Sequence, residues 1–348
     1  MGKKIVAVGM SGGVDSAVSA LLLKEAGYDV FGLFMKNWDE KECPAEADYQ
    51  DIVAICHKLD IPYYTVNFTD AYYNQVFAGF VEDLKKGFTP NPDILCNREI
   101  KFDALFKKAL ELGADYLATG HYAQTDHIHL LKGNDLNKDQ SYFLYTIKSA
   151  ILEKTLFPIG HLEKPLVRQI AKEHQIPVFD KKDSTGICFI GNRKFRDFMM
   201  QYIPSEKGPI IDVNGVKLGE HVGIAFYTIG QRKGLGIGGP GDAYFVVDKD
   251  PLNNTVIVAQ GTDHPALYRS ELIAEAPSWI ASPPGFPKRC FAKIRYRQVE
   301  QPCTIYPAEE GSIRVIFDKP QRAITPYQSI VFYDGTITLG GSRILCSI

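Results

Sequence analysis

Seven cysteines are spread over 348 residues, and no two of them form a Cys-x-x-Cys pair. That absence, with the odd count, argues against both a disulfide framework and a zinc site, so no resident metal is expected. No apolar run reaches the roughly 20 residues that span a bilayer, and no membrane partner is expected. The first residues hold two lysines, then only a short apolar run and a glycine turn, which reads as neither a signal peptide nor a transit peptide. A cytoplasmic location follows as the expectation, and the sequons at Asn67-Phe-Thr69 and Asn253-Asn-Thr255 then carry no meaning. Internal repeats and low-complexity tracts are also missing. Charge of one sign is scarce overall, with a formal net charge of −2, which by itself gives no hint of nucleic acid. Only residues 288–348 depart from balance, with nine Lys/Arg against five Asp/Glu. This is either a solvated basic face or a nucleic-acid contact.

What is present is an ordinary globular composition, 45% hydrophobic and 23% charged, at a length that implies two or three domains. Strand-like runs at 4–9, 29–35, 62–68 and 115–120 alternate with helical patterns at 16–26, 45–59, 71–87 and 99–112. This is the pattern of an α/β, doubly wound parallel sheet covered by helices on both faces. Helical patterns at 163–175 and 192–202 follow, and Ile203-Pro-Ser-Glu-Lys-Gly-Pro209 ends them. From 209 onward the chain reads as short strands and turns, with Ile210–Val213, Gly223–Tyr227, Tyr244–Asp248 and Thr255–Ala259 as strands and Asn214-Gly215 as a hairpin turn. A last strand-rich unit begins near Leu272. The expected organisation is a catalytic domain over 1–203, a small β-rich domain over 204–268 and a C-terminal β-barrel over 269–348. Gly234-Leu-Gly-Ile-Gly-Gly239 fits a dinucleotide fingerprint, yet Pro240-Gly-Asp242 follows where a helix is required, so it is a decoy.

The most informative segment is Gly9-Met-Ser-Gly-Gly-Val-Asp-Ser16, between Lys4-Ile-Val-Ala-Val8 and a helical pattern. A strand, a Gly/Ser turn and a helix start together aim backbone N–H groups at one point, where a phosphate fits. Ser11 and Ser16 add hydroxyl donors and Asp15 offers a carboxylate to magnesium, but the lysine of a Walker loop is missing. Ligands of such sheets lie beyond the strand ends, which brings Met35-Lys-Asn-Trp38 and Thr119-Gly-His-Tyr122 to the same crevice. A second segment, Pro90-Asn-Pro-Asp-Ile-Leu-Cys-Asn97, opens a helical pattern with Asp93 and Cys96 three apart. This is either an acid/base and thiol pair or a proline turn with a core cysteine. A third, Asp183-Ser-Thr-Gly-Ile-Cys-Phe-Ile-Gly191, holds Cys188, inert in an apolar run unless Lys181 and Lys182 sit near enough to favour its thiolate.

The glycine loop resembles the PP-loop of N-type ATP pyrophosphatases. With PNPDILCN, GHY at 120–122, DSTGICFIG and IGQRKGLGIGG in this order, the whole chain resembles the bacterial tRNA-specific 2-thiouridylase family. The resemblance implies an adenine nucleotide α-hydrolase-like PP-loop domain followed by two small β-rich domains. It implies ATP and Mg2+ as cofactors, with Gly9, Met10, Ser11, Gly12, Gly13, Val14, Asp15, Ser16, Met35 and Gly120 at the nucleotide. Asn91, Pro92 and Asp93 would meet the target base, Asp93 as general acid/base. Cys188 would carry the persulfide and Cys96 would be its partner thiol, closing a disulfide as sulfur is delivered. His121, Lys138, Asp139, Gln140, Arg295, Tyr296 and Gln328 match positions that touch tRNA. The partners implied are tRNA, with Lys, Glu and Gln acceptors, and a sulfur donor protein. Cysteines 43, 56, 290, 303 and 346 read as packing residues. Two other readings stay open: an amide-forming PP-loop enzyme, which needs no thiols, and a nucleotide-fold protein that only binds RNA.

Overall fold

The computed structural model describes residues 2–38, 45–183, 190 and 193–348. Its first sheet holds β1 (Ile5–Met10), β2 (Asp29–Lys36), β3 (Tyr63–Asn67), β4 (Tyr116–Thr119) and β7 (Thr155–Leu156) in the order β3-β2-β1-β4-β7. Every pairing in it is parallel. Successive side chains of a strand point to opposite faces, so Val6, Val8 and Met10 of β1 enter one apolar cluster and Ala7 another. Helices α1 (Val14–Glu25), α2 (Ala45–Leu59) and Lys164–Glu173 cover the first face. The helical stretch 92–111, through Phe102, Leu105, Phe106 and Ala109, covers the second. The doubly wound sheet expected from the sequence is therefore present. Its strand order reverses at β1, the point from which the chain runs first to β2 and later to β4 on the other side. The register Gly9↔Leu33 and Gly9↔Thr119 brings Met35 and Gly120 to the level where the Gly/Ser turn leaves the sheet.

The second sheet, of β8 (Gly208–Asp212), β9 (Lys217–His221), β10 (Tyr244–Asp250) and β11 (Thr255–Gln260), runs in the order β10-β11-β8-β9. Asn214-Gly215 turns the β8–β9 hairpin, with Gly215 at φ 85° and the Asp212 carboxylate accepting the amides of Asn214 and Val216. Residues 223–227 correct the sequence reading. Ile224–Phe226 form a 3₁₀ turn, because all three side chains are buried against the helical region and a strand would turn alternate ones outward. The 234–239 decoy leads into β10 with no helix, as its proline required.

The third sheet closes on itself: β12 (Tyr268–Ala274), β16 (Ile313–Arg322), β15 (Gln301–Pro307), β14 (Lys288–Lys293), β17 (Ser329–Asp334) and β18 (Ile337–Ser347) form a ring through the β12–β18 pairing. Its edge does not stop there. A hairpin of the first domain, β5 (Ala123–Thr125) and β6 (Leu130–Lys132), pairs with β18 through Leu130↔Thr338 and Leu131↔Ile337. The barrel is thus hydrogen-bonded to the nucleotide-fold region, which no pattern in the sequence announced. Cys56, Cys290 and Cys303 are buried as packing residues, whereas Cys346 is exposed near the chain end and is not one. Cys43 lies outside the described residues. Among the described residues, no helix is long and apolar enough to cross a membrane.

Candidate active site

The turn after β1 takes its shape from its own glycines and serines. Gly12 has φ +71°, and a Cβ there would lie 2.8 Å from the Asp48 carbonyl oxygen, so glycine is required twice over. Ser16 Oγ donates to the Gly13 carbonyl (3.1 Å) and accepts from the Ser11 amide (3.2 Å), which fixes the curvature of the loop. Met10 is buried and Val14 is core, so these two can offer an anion only backbone. Gly120 lies directly on the start of α1, where a Cβ would meet the Ser16 amide nitrogen at 2.8 Å and the Asp15 carbonyl carbon at 2.9 Å. The strand-end crevice expected from the sequence is formed by this close approach.

Charged groups converge on the loop from distant parts of the chain. Lys164 donates to both Asp15 carboxylate oxygens (2.7 and 2.9 Å), and Tyr122 donates its hydroxyl to Oδ1 (2.8 Å). The same ammonium lies 2.8 Å from Asp183 Oδ1, on which Arg168 (2.7 Å) and, at Oδ2, Lys138 (2.8 Å) also converge. Burial alone would raise the Asp183 carboxyl, but the hydrogen bonds from Lys138 and Lys164 outweigh it and hold the group at about 2. Burial and then the Asp15 charge push the Tyr122 phenol far above its ordinary range, so it stays a donor. Lys181 donates to the Gly12 carbonyl and pairs with Asp48 and Asp51 (2.7 and 2.6 Å). That ammonium therefore serves the loop's shape. Nothing in the sequence singled out Lys164 or Arg168; they lie in an unremarkable helix start, and only packing brings them here.

The second segment forms as its residues dictate. Asn91 caps the helix by accepting the Asp93 amide (3.1 Å), and Pro92 occupies the first helical position, where its missing N–H costs nothing. The stretch then widens into π geometry over Cys96–Leu105. Asp93 is largely buried, and burial raises its carboxyl above the ordinary range, with Lys101 opposing the rise. Cys96 is buried and belongs to the apolar cluster that also holds Trp38, Phe77, Phe80, Phe198 and Ile190. Ile190 is two positions past Cys188, which itself lies outside the described residues. Asp183, at the other end of the same short segment, is the residue tied to Lys164.

The residues expected at tRNA face inward more than their resemblance implied. His121 is 8% exposed, hydrogen-bonded to Thr119 through Nδ1 (2.8 Å) and within 3.5 Å of the Lys101 ammonium through Nε2. An ammonium only donates, so Nε2 accepts and Nδ1–H donates. Burial, then Lys101, keeps this ring neutral, and it packs between Phe102 and Phe157 rather than on the surface. Asp139 is turned inward in the same way: its buried carboxylate accepts from the Gly133 and Ser141 amides and the Ser141 hydroxyl. Arg295 donates to the Ile229 and Ala323 carbonyls and the Thr325 hydroxyl, and Gln328 to the Thr89 carbonyl. Tyr296 donates to the Lys138 carbonyl, and Gln140 accepts the Tyr122 amide. Arg295, Tyr296 and Gln328 thus tie the barrel to the other units of the protein. Lys249 donates to the Tyr227 carbonyl beside Thr89, with burial lowering its ammonium to about 8.

Family models match nearly the whole chain. Residues 4–192 match a model described as the tRNA methyl transferase HUP domain, 196–260 the tRNA methyl transferase PRC-barrel domain and 269–344 the aminomethyltransferase beta-barrel domain. The tRNA-specific 2-thiouridylase MnmA of Protochlamydia amoebophila is 57% identical over 98% of this chain and 93% of its own length. That of Francisella tularensis subsp. holarctica is 53% identical over 99% and 100%. Among solved structures, a 4-thiouridine synthetase–RNA complex with bound ATP covers 58% of this chain and 51% of its own at 16% identity, with a TM-score of 0.38. That last likeness is too loose to bear on function.

Proposed function

The chain belongs to the tRNA-specific 2-thiouridylase family, and from that premise we propose how its own residues share out an ATP-dependent 2-thiolation of the wobble uridine. The enzyme is a tRNA-uridine 2-sulfurtransferase that uses ATP. Relatives more than half identical that carry this activity in their names set aside the amide-forming and binding-only readings.

A uridine 2-carbonyl is a poor electrophile because oxide does not leave. In the proposed sequence the loop Gly9–Ser16 binds the phosphates, with Met35 and Gly120 at the adenosine, and the uridine O2 attacks the α-phosphorus as pyrophosphate departs. The proton lost from the base passes to Asp93, whose burial raises its proton affinity toward that task. The sulfane sulfur of a Cys188 persulfide then attacks C2, and AMP leaves with the former O2. Attack of the Cys96 thiolate on the Cys188 Sγ breaks the S–S bond, leaves the sulfur on C2 and closes a Cys96–Cys188 disulfide. A thiol reductant reopens it before a sulfur donor protein reloads Cys188 in the cytoplasm. The observation that carries this reading is local. Asp183 and Ile190 bracket Cys188 in sequence; one is ion-paired beside the phosphate loop and the other belongs to the same buried apolar cluster as Cys96.

Magnesium fits Asp15 as a hard cation fits a carboxylate, and would supply charge neutralisation on the phosphates. The described residues hold no cluster of three metal-ligating side chains, which suits an ion that arrives with the nucleotide. The test is nucleoside analysis of tRNA after incubation with ATP, magnesium and a persulfide source. Wild type is expected to yield 2-thiouridine and the Cys188→Ala and Cys96→Ser variants none. Thiouridine formed by either variant overturns the sulfur-carrier assignment.

A further inference from the structure

The phosphate loop lacks a lysine, yet a triphosphate carries about four negative charges that the loop amides and the helix dipole, worth about half a charge, cannot balance. Resting on the ATP reading above, we propose that Lys164 is the phosphate-binding lysine of this enzyme. In this proposal Lys138 and Arg168, gathered with it on Asp183, form the second wall of the triphosphate site.

Three observations meet here. Lys164 is placed by the fold: it opens the helix Lys164–Glu173, its own amide donates to Asp135, and its side chain, 9% exposed, ends at Asp15 in the first turn of α1. All three of its N–H donors have carboxylate oxygens at 2.7–2.9 Å, two on Asp15 and one on Asp183. Phosphate oxygens are acceptors of the same kind, so they can take over these donors with no donor left empty.

The second observation is the charge count. Among the described residues, the side chains of Lys138, Lys164 and Arg168 ion-pair with Asp15 and Asp183, three cations on two carboxylates, while the Asp135 carboxylate is held at the Lys164 amide. Lys164 is buried, while the side chains of Lys138 and Arg168 are 40% and 33% exposed, so the two outer cations stand open to an entering anion. Lys181 adds nothing to this surplus, because two carboxylates, Asp48 and Asp51, pair with its one ammonium.

The third is position. Asp15, unless neutralised, would repel a phosphate seated at the start of α1. Lys164 cancels that charge while the site lacks nucleotide and supplies an ammonium when nucleotide enters. The tertiary structure thus delivers from 148 residues downstream of Ser16 the group that a Walker loop encodes next to its own glycines.

The experiment is calorimetric binding of ATP and of adenosine to the full chain without tRNA. Lys164→Met is expected to weaken ATP about 30-fold or more, as loss of a charge-assisted phosphate contact does, and adenosine less than about 2-fold. Lys164→Arg is expected to restore most of the ATP affinity. Equal losses for both ligands, or no loss for ATP, overturn the proposal by making Lys164 a support of loop shape or a bystander. Absence of ATP binding by the wild type overturns the ATP reading itself, an outcome no variant is needed to see. Should Lys164→Met not fold, the 15Nζ resonance of Lys164, assigned by its absence from Lys164→Arg, keeps the question open to refutation. It is expected to move with ATP and not with adenosine, and an unmoved resonance refutes the contact.

Discussion

Asp93 owes its chemistry to two opposed influences that can be separated by substitution. Burial raises its carboxyl and the Lys101 ammonium pulls it back. Replacing Asp93 with Asn keeps the cap at Asn91 and the packing but removes the proposed proton carrier. We expect thiouridine formation to fall about 10²- to 10⁴-fold with an unchanged melting profile. Lys101→Met works in the other direction on the same group. Without the cation the folded-state pKa of Asp93 rises further, so a step that needs the ionised carboxylate loses rate at higher pH than before. The acid limb of kcat/KM against pH should therefore move to higher pH, and a limb that stays still or moves down would deny Asp93 the base role. Because Lys101 also donates to His121, melting of this variant must be checked alongside.

At the scale of elements, the site is made by close approach of backbones. Gly120 after β4 touches the first turn of α1 with no room for a methyl group. The obstructing atoms are backbone and cannot swing aside, so Gly120→Ala should cost about 1–3 kcal/mol of stability by overpacking. It should also weaken ATP binding by displacing Asp15 and Ser16. Thermal unfolding and calorimetry read the two effects, and an ATP affinity equal to wild type would show that the 120–122 turn does not shape the loop. The π-helical stretch Cys96–Leu105 belongs to the same scale, since such widened turns sit where a helix must carry function as well as packing. Proline, asparagine and aspartate made the start of this helix legible in the sequence; its π geometry left no mark there.

The whole molecule is held together around the segment that leads into this helix. Phe88 stacks on Tyr327 of the barrel at 3.7 Å, Gln328 donates to Thr89, and Lys249 of the second sheet lies against the same threonine. Arg295 joins the barrel to the 229 loop through the Ile229 carbonyl, and the same nitrogen lies against Ala323 and Thr325 of the barrel itself. Arg295→Met strands the Ile229 carbonyl, whereas Ala323 and Thr325 keep the hydrogen bond between them, a loss of about 1–3 kcal/mol. We expect that variant to lose tRNA affinity while its ATP affinity persists, because the nucleotide loop is tied to other elements. Parallel losses of both ligands in binding assays would show instead that the barrel supports the nucleotide fold directly, through the β6–β18 pairing.

Taken alone, the sequence determined the strand and helix periods, the glycine turn and the positions of the thiols. Each of these depends on residues within a few positions of one another, which is the range over which side-chain period, backbone freedom and capping act. Tertiary structure alone decided that Lys164, Arg168 and Asp183 stand at the phosphate loop, and that His121 and Asp139 turn inward. It also decided that Arg295 and Gln328 brace one unit against another and that β18 extends its sheet into the first domain. Those outcomes follow from which faces pack together and where a charge can find its counter-charge, and some of those pairings, such as Lys164 with Asp15 and Gln328 with Thr89, join residues well over a hundred positions apart.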